Sequence, residues 1–371
     1  MSKKVSLERL ERVRARLVRQ GLDAMLVAHG ETIGDPNVRY LSGFSGSSGM
    51  LLIGRTDAII ITDGRYFEQV EEEVTAFALE KLPVGVTYNG FLCDTITKMG
   101  IRTLGFDPNH MLYSTHQQLA NELSGVELRP SYNIVEDLRI VKSEEEIDLI
   151  RKACKIAIEA FLKLIQVNVK GRTERELAAD LEHEMRRLGA EKTSFETILC
   201  AGPRSSIIHG KPSDNQFKPG DLVIVDFGAV YEGYCSDLTR TCVVGEATTE
   251  QQELFSIVKR AQHAAAKAAV PGAIGKDVDA VARDLITEAG YGDKFGHGLG
   301  HGIGLLVHES PQLGPISEIK LRANMLTTVE PGIYFPGKWG LRLEDDFIVT
   351  DGGGVRLSDG LPQELFVLKY D

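Results

Sequence analysis

Up to about residue 135, short apolar runs alternate with helical segments, and from Ser143 onward helices gather ahead of strands instead. That switch in order constrains the fold more than any single motif. An alternating pattern fits a small α/β unit. Helices followed by strands fit an α+β unit in which an antiparallel sheet is flanked by helices. The chain has 371 residues, and at roughly 150 residues per domain that length also suggests two units. The boundary is placed near 136–142, giving a smaller N-terminal α/β domain over 1–137 and a larger domain over 138–371.

Local signals support the division. Leu7 to Gln20 reads as a helix closed by Gly21, and Asp23 to Val27 as a short strand. Asn37 to Gly54 reads as strand pieces between Gly/Ser turns, and Ala58-Ile-Ile-Ile-Thr as a buried strand ending at the Asp63-Gly64 turn. In the second unit, Ser143 with Glu146, Thr173 with Glu176, and Thr249 with Gln252 have capping-box spacing. A further helix is expected from about Asp277 to Gly290. Strands are expected near 222–228, 234–244, 325–334 and 341–350.

Composition excludes several roles. The formal charge of −11 repels phosphates and anionic lipid, which argues against a nucleic-acid partner. No apolar run is long enough to cross a membrane, and the charged N-terminus lacks a secretory pattern, so a cytoplasmic protein is expected. The five cysteines are scattered without a CxxC pair, which argues for idle thiols rather than a disulfide framework or thiolate zinc site.

Chemistry enters with acidic residues inside apolar strands. Asp226 interrupts Leu222-Val-Ile-Val-Asp-Phe-Gly, where an uncompensated carboxylate is costly. Asp237 follows after Tyr231-Glu232-Gly233. In a hairpin turning at Tyr231-Glu232, Asp226 would face Asp237. In one turning at Glu232-Gly233, Asp237 would face Gly228. Either register puts both carboxylates on one face, whereas a three-residue loop would separate them. Two carboxylates so close repel, so either one stays protonated or cations neutralise both.

Gly296-His-Gly-Leu-Gly-His-Gly-Ile-Gly-Leu-Leu-Val-His-Glu contributes His297, His301 and His308. Glycine at five of its first nine positions excludes a helix and with it a helical HExxH site. Such glycines allow the backbone to approach a ligand or metal closely. Phosphate cradling lacks the accompanying Lys-Ser/Thr. Glu330 ends the apolar run before Pro331-Gly332, and Glu344 lies in another strand. Asp226, Asp237, His301, Glu330 and Glu344 together form an oxygen-rich set with one imidazole. It suits Mn²⁺, Co²⁺, Fe²⁺ or Zn²⁺.

Val225-Asp-Phe-Gly, Cys235-Ser-Asp-Leu-Thr-Arg, Gly300-His-Gly-Ile-Gly, Val329-Glu-Pro-Gly-Ile-Tyr and Arg342-Leu-Glu-Asp resemble, in order, the five ligand blocks of the pita-bread metallopeptidases. The likeness covers about residues 143–371. Asn37-Val-Arg-Tyr-Leu-Ser-Gly-Phe-Ser-Gly-Ser and Ile61-Thr-Asp-Gly-Arg-Tyr resemble the creatinase/prolidase N-terminal domain, which methionine aminopeptidases lack. The resemblance implies two divalent ions, manganese first. Asp226 would chelate one ion, Asp237 and Glu344 would bridge both, and His301 and Glu330 would hold the second. A bridging water would attack the scissile carbonyl. Glu330 would also shuttle the proton to the leaving nitrogen, and His209 and His308 would bind the developing oxyanion. His297 would line the substrate pocket, and Arg342 would orient Glu344. Trp339 is expected in packing rather than in the pocket.

The implied substrates are peptides with proline at the second position, and the implied assembly is a homodimer. Prolidases often carry an arginine about fourteen residues before the Val-Glu-Pro-Gly glutamate. Here that position is Ile316, and the nearest arginine is Arg322. The expectation therefore leans to an Xaa-Pro aminopeptidase, with Xaa-Pro dipeptidase as the alternative. A silent pita-bread binding protein would have lost its ligands, and creatinase lacks the full set, so the complete set here disfavours both.

Overall fold

Leu10, Val13 and Leu17 recur on one face of the helix Lys3–Gln20 and are buried, and Gly21 follows in a left-handed conformation with φ of 67°. In this computed structural model, which describes residues 3–29 and 35–371, the chain divides after Arg139 into two units.

The N-terminal unit is built on a six-stranded mixed sheet. Its order is Ala78–Lys81, Ala58–Thr62, Gly49–Gly54, Ala24–His29, Thr103–Phe106 and Glu127–Pro130. The three strands that begin at Ala24, Gly49 and Ala58 run antiparallel to their neighbours in the order of the chain. The outer pairings are parallel. Helices Tyr88–Lys98 and Tyr113–Glu122 lie in the same unit, and Leu92, Ile96 and Leu119 share a core with Leu26, Leu52 and Ile61. One local expectation fails here. Pro36–Ser42 is a helix, not a strand, because Asp35 accepts from the Asn37 amide at 2.8 Å as N-cap and Pro36 sits at the first helical position.

The C-terminal unit carries two helix pairs. Helices Glu144–Leu164 and Glu174–Arg187 both start with the expected capping boxes. Ile147, Ile150, Ala157 and Phe161 of the first bury against Val223, Val225 and Phe227, and Phe161 stacks on Phe227 at 5.0 Å. Each of the isoleucine and phenylalanine side chains contributes about 1.5–3 kcal/mol on burial. The second pair, Thr249–Ala268 and Gly275–Glu288, packs Leu254, Val258 and Ala265 against Val329, Leu341 and Phe347. Its capping box uses Thr248 with Gln251, one residue before the expected pair, so the helix gains one residue at its start. The following helix is likewise shifted, to Gly275–Glu288.

Between the helix pairs lie the strands. One sheet orders Phe366–Leu368, Leu238–Val244, Leu222–Phe227 and Ile198–Ala201. Another orders Glu309–Leu313, Gly300–Gly302, Leu326–Val329, Asp345–Thr350 and Gly353–Arg356. A lone bridge from Thr239 to Glu344 joins the two. This is the expected α+β arrangement of a largely antiparallel sheet flanked by helices. Trp339 packs on Phe335 at 4.8 Å, in the core. All five cysteines are buried and free. No helix among the described residues is long and apolar enough to cross a membrane.

Candidate metal centre

The hairpin after Asp226 turns at Glu232-Gly233. Tyr231 pairs with Tyr234, and φ is 45° at Glu232 and 82° at Gly233. Positive φ at both central residues is the twist a two-residue hairpin favours. The same register continues down the ladder, with Phe227 opposite Leu238 and Asp226 opposite Thr239. Gly228 therefore stands opposite Asp237, and Asp226 and Asp237 share one face.

His301 sits mid-strand between two glycines. A Cβ on Gly300 would meet the Thr328 carbonyl oxygen at 2.1 Å, and one on Gly302 would meet the Ser310 carbonyl oxygen at 2.2 Å. These glycines are therefore needed for close strand-to-strand packing, not for backbone approach to a ligand. The packing fixes His301, whose Nδ1 lies 3.0 Å from the Gly302 carbonyl oxygen and leaves Nε2 facing the acidic residues.

A cavity of about 420 Å³ is lined by Asp226, Asp237, His301, Glu330 and Glu344, and also by His209, His297, His308 and Arg342. The fold thus brings all nine residues singled out from the sequence to one place. Donor atoms of Asp237, His301 and Glu344 lie within 4.8 Å of one another. His301 Nε2 is 3.6 Å from Asp237 Oδ2 and 3.5 Å from Glu330 Oε1. The His301 and His308 rings meet edge to face at 4.3 Å.

Electrostatics decide what this cluster requires. Burial and the neighbouring Glu344 and Asp226 charges push Asp237 well above the usual carboxylate range. Burial and the Glu330 charge do the same to Glu344. Burial raises Asp226, against the pull of Arg342, and raises Glu330 to about 8. Burial lowers His301 to about 4, so its imidazole is neutral and free to ligate. Asp226 Oδ1 is buried without a hydrogen-bond partner. Four carboxylates face a single guanidinium, so protons or cations must supply the missing positive charge. Oxygen donors with one neutral imidazole fit divalent ions of the manganese-to-zinc range.

Residues behind the donors hold them in place. Arg342 Nη2 donates to Asp226 Oδ2 at 2.5 Å, Nη1 to the Tyr334 hydroxyl at 3.0 Å and Nε to Thr239 Oγ1 at 3.0 Å. Its Nε is 3.9 Å from Glu344. Arg342 thus grips Asp226 rather than Glu344. Glu344 is instead held by Thr239, which donates to it at 2.6 Å. Tyr334 also meets His297 Nε2 at 3.1 Å. Burial, with Arg342 nearby, lowers His297 to about 4. The Asp237 amide donates to Asp346 at 3.0 Å. The buried Arg240 donates to the Glu344 carbonyl oxygen at 2.7 Å and pairs with Asp345 at 2.7 Å.

Sequence reasoning gave no role to Thr239, Arg240, Tyr334 or Asp346, although the first three lie within the quoted blocks and Asp346 directly follows one. It also missed Lys211 on the cavity wall, with Phe195, Ile198 and Ile208 beside it.

Residues 148–351 match the family described as metallopeptidase family M24, and residues 9–141 match the creatinase/prolidase N-terminal domain. The chain belongs to metallopeptidase family M24, whose members bind divalent metals. An Xaa-Pro dipeptidase of Pyrococcus horikoshii is 37% identical, over 95% of this chain and 97% of its own. A solved Xaa-Pro dipeptidase from Bacillus anthracis is 37% identical with a TM-score of 0.92, covering 98% of this chain and 100% of its own. A solved X-Pro aminopeptidase from Thermotoga maritima is 39% identical with a TM-score of 0.91, covering 97% and 99%.

Proposed function

We propose that this chain hydrolyses the Xaa-Pro bond of dipeptides, using two divalent ions at the cavity of Asp226, Asp237, His301, Glu330 and Glu344. The crowding of four buried carboxylates around a neutral imidazole carries the metal assignment. Bound divalent ions acidify water and polarise a carbonyl oxygen, which is the chemistry amide hydrolysis needs. Manganese heads the candidates, with cobalt, iron and zinc behind it.

The protein's own groups supply the rest. The family resemblance gives Glu330 a second role beside ligation, passing a proton to the leaving proline nitrogen. His308, its pKa lowered by burial, is a neutral donor on the cavity wall. With His209 it would bind oxygen as negative charge develops. His297, fixed by Tyr334, would line the substrate side, and Arg342 would hold Asp226 so that Oδ1 stays available.

The dipeptide reading draws on the relatives named as dipeptidases and on one feature of the cavity. A dipeptide has its free carboxylate close to the scissile bond. Lys211 and Arg342 are the cations on the cavity wall, and Arg342 is committed to Asp226. The Lys211 side chain is 74% exposed and pairs with Glu196 at 2.6 Å. It is the side chain that can turn to a substrate carboxylate. The X-Pro aminopeptidase likeness supports the other reading, cleavage of longer peptides, toward which the position of Ile316 had leaned. The family resemblance extends the proposal to a cytoplasmic homodimer.

Chelator-stripped protein, reloaded with Mn²⁺, Co²⁺ or Zn²⁺, tests both readings on matched Xaa-Pro and Xaa-Pro-Yaa substrates. Faster cleavage of the dipeptides is expected. Preference for the tripeptides would return the assignment to an aminopeptidase.

A further inference from the structure

The N-terminal unit holds a second group of metal-type ligands. Asp107 follows the strand Thr103–Phe106, His110 closes the next turn, and Glu136 opens the short helix Glu136–Arg139. Donor atoms of the three lie within 4.8 Å of one another. His110 Nδ1 is 3.6 Å from Asp107 Oδ2 and 3.8 Å from Glu136 Oε1. Those separations exceed a hydrogen bond, yet they suit ligand atoms that share one ion.

Three atoms here lack hydrogen-bond partners: Asp107 Oδ2, His110 Nδ1 and Glu136 Oε2. The Asp107 side chain is only 6% exposed. Leaving a buried carboxylate oxygen unpaired is costly. The other oxygen of each carboxylate is already engaged. Asp107 Oδ1 accepts from the Asn109 amide at 2.8 Å, and Glu136 Oε1 accepts from the Asn37 side chain. At Asp107 the oxygen left free is Oδ2, the one facing the imidazole, whereas at Glu136 the oxygen nearer the imidazole is the engaged Oε1. Asp107 and His110 also border a void of about 10 Å³, shared with Asp35, Asn37 and apolar residues but not with Glu136, that has room for one water. Arg139 is the nearby cation, and its Nη1 donates to Asn37 Oδ1 at 2.9 Å.

We propose that Asp107, His110 and Glu136 form a second cation site, separate from the hydrolytic cavity, that takes a divalent transition ion such as Zn²⁺. Two carboxylates and one imidazole suit such an ion. His110 and Glu136 are each 25% exposed, so solvent can complete the coordination. The competing arrangement is an imidazolium at His110 held between the two carboxylates with no ion.

Zinc binding to the full-length protein, measured by equilibrium dialysis with metal analysis, separates the two. The wild type is expected to hold one more Zn²⁺ per chain than His110→Gln or Asp107→Asn. Both variants should keep their other ions and hydrolyse Xaa-Pro substrates within about twofold of wild type. His110→Gln changes a partly exposed side chain and serves as the reading if Asp107→Asn fails to fold. Equal zinc content in wild type and His110→Gln would overturn the site. Because the signal is the difference between two chains with the same cavity, it does not depend on the peptidase assignment.

Discussion

Arg342 Nη2 lies 2.5 Å from Asp226 Oδ2, in a pair whose side chains are 2% and 10% exposed. The pair sits at the edge of an acidic cluster that this one guanidinium cannot neutralise. Removing it should leave Asp226 buried and uncompensated, a change that costs about 3–5 kcal/mol when nothing replaces the lost partner. Arg342→Met should therefore lower the melting temperature most in chelated protein and less when divalent ions are present. Equal loss in both states, followed by calorimetry, would mean that the ions do not reach Asp226.

Burial and the Glu344 charge raise the pKa of Asp237, and burial with the Glu330 and Asp226 charges raises that of Glu344. Asp237→Asn or Glu344→Gln relieves that repulsion while deleting a proposed ion ligand. Each variant should lose metal and nearly all activity. In chelator at pH 8, each should melt no lower than chelated wild type. Full activity in either variant would refute its assignment as a ligand.

The same shifts give a pH dependence with a definite sign. Glu330 goes from 4.5 to about 8 on folding, so the folded protein keeps a proton that the unfolded chain releases. Its stabilisation is complete below pH 4.5 and is lost as pH rises toward 8. Asp237 and Glu344 act in the same direction. His301, lowered from 6.5 to about 4, acts oppositely, but only below pH 6.5. Between pH 6.5 and 8, chelated protein should lose about 1.4 kcal/mol per pH unit for each carboxyl that the folded protein keeps protonated. Urea midpoints across this range check it, and added Mn²⁺ should flatten the slope.

His308 tests the oxyanion role apart from metal binding. Its ring stands 4.3 Å from that of His301, on the wall of the same cavity. His308→Ala should keep its metal content and lower the catalytic rate by ~10²–10³, as loss of one oxyanion donor does. Loss of metal alongside rate would place His308 among the ligands instead.

Much of the metal centre was legible because its chemistry conflicts with its surroundings. A carboxylate at Asp226 in an apolar strand has few structural excuses, whereas the glycines on both sides of His301 serve strand packing. The register of the Asp226 hairpin was legible as two two-residue turns and a three-residue loop, and the pairing of Tyr231 with Tyr234, with positive φ at Glu232 and Gly233, selects one. The supporting residues were not legible. Thr239 reaches Glu344 and Tyr334 reaches Arg342 across strands distant in sequence or through side-chain directions that no local pattern encodes. The Pro36–Ser42 helix was misread because the apolar residues outweighed the Asp-Pro start signal. Glu136 could not be joined to Asp107 and His110 from sequence, since only the fold closes that gap.

Lys211 bears most directly on substrate choice. Its ammonium is exposed at the cavity wall, 2.6 Å from Glu196, a partner that is also exposed. An exposed ion pair of this kind contributes little stability, so exchanging Glu196 for a substrate carboxylate costs little. A charged hydrogen bond to that carboxylate is worth about 1.5–3 kcal/mol. Lys211→Ala should therefore weaken kcat/KM for Xaa-Pro dipeptides by about tenfold or more, mainly through KM. Xaa-Pro-Yaa tripeptides place their carboxylate one residue farther out and should change little. The melting temperature should stay near wild type, which separates lost recognition from lost folding. An equal effect on both substrate lengths would remove Lys211 from carboxylate recognition while leaving the metal centre as assigned.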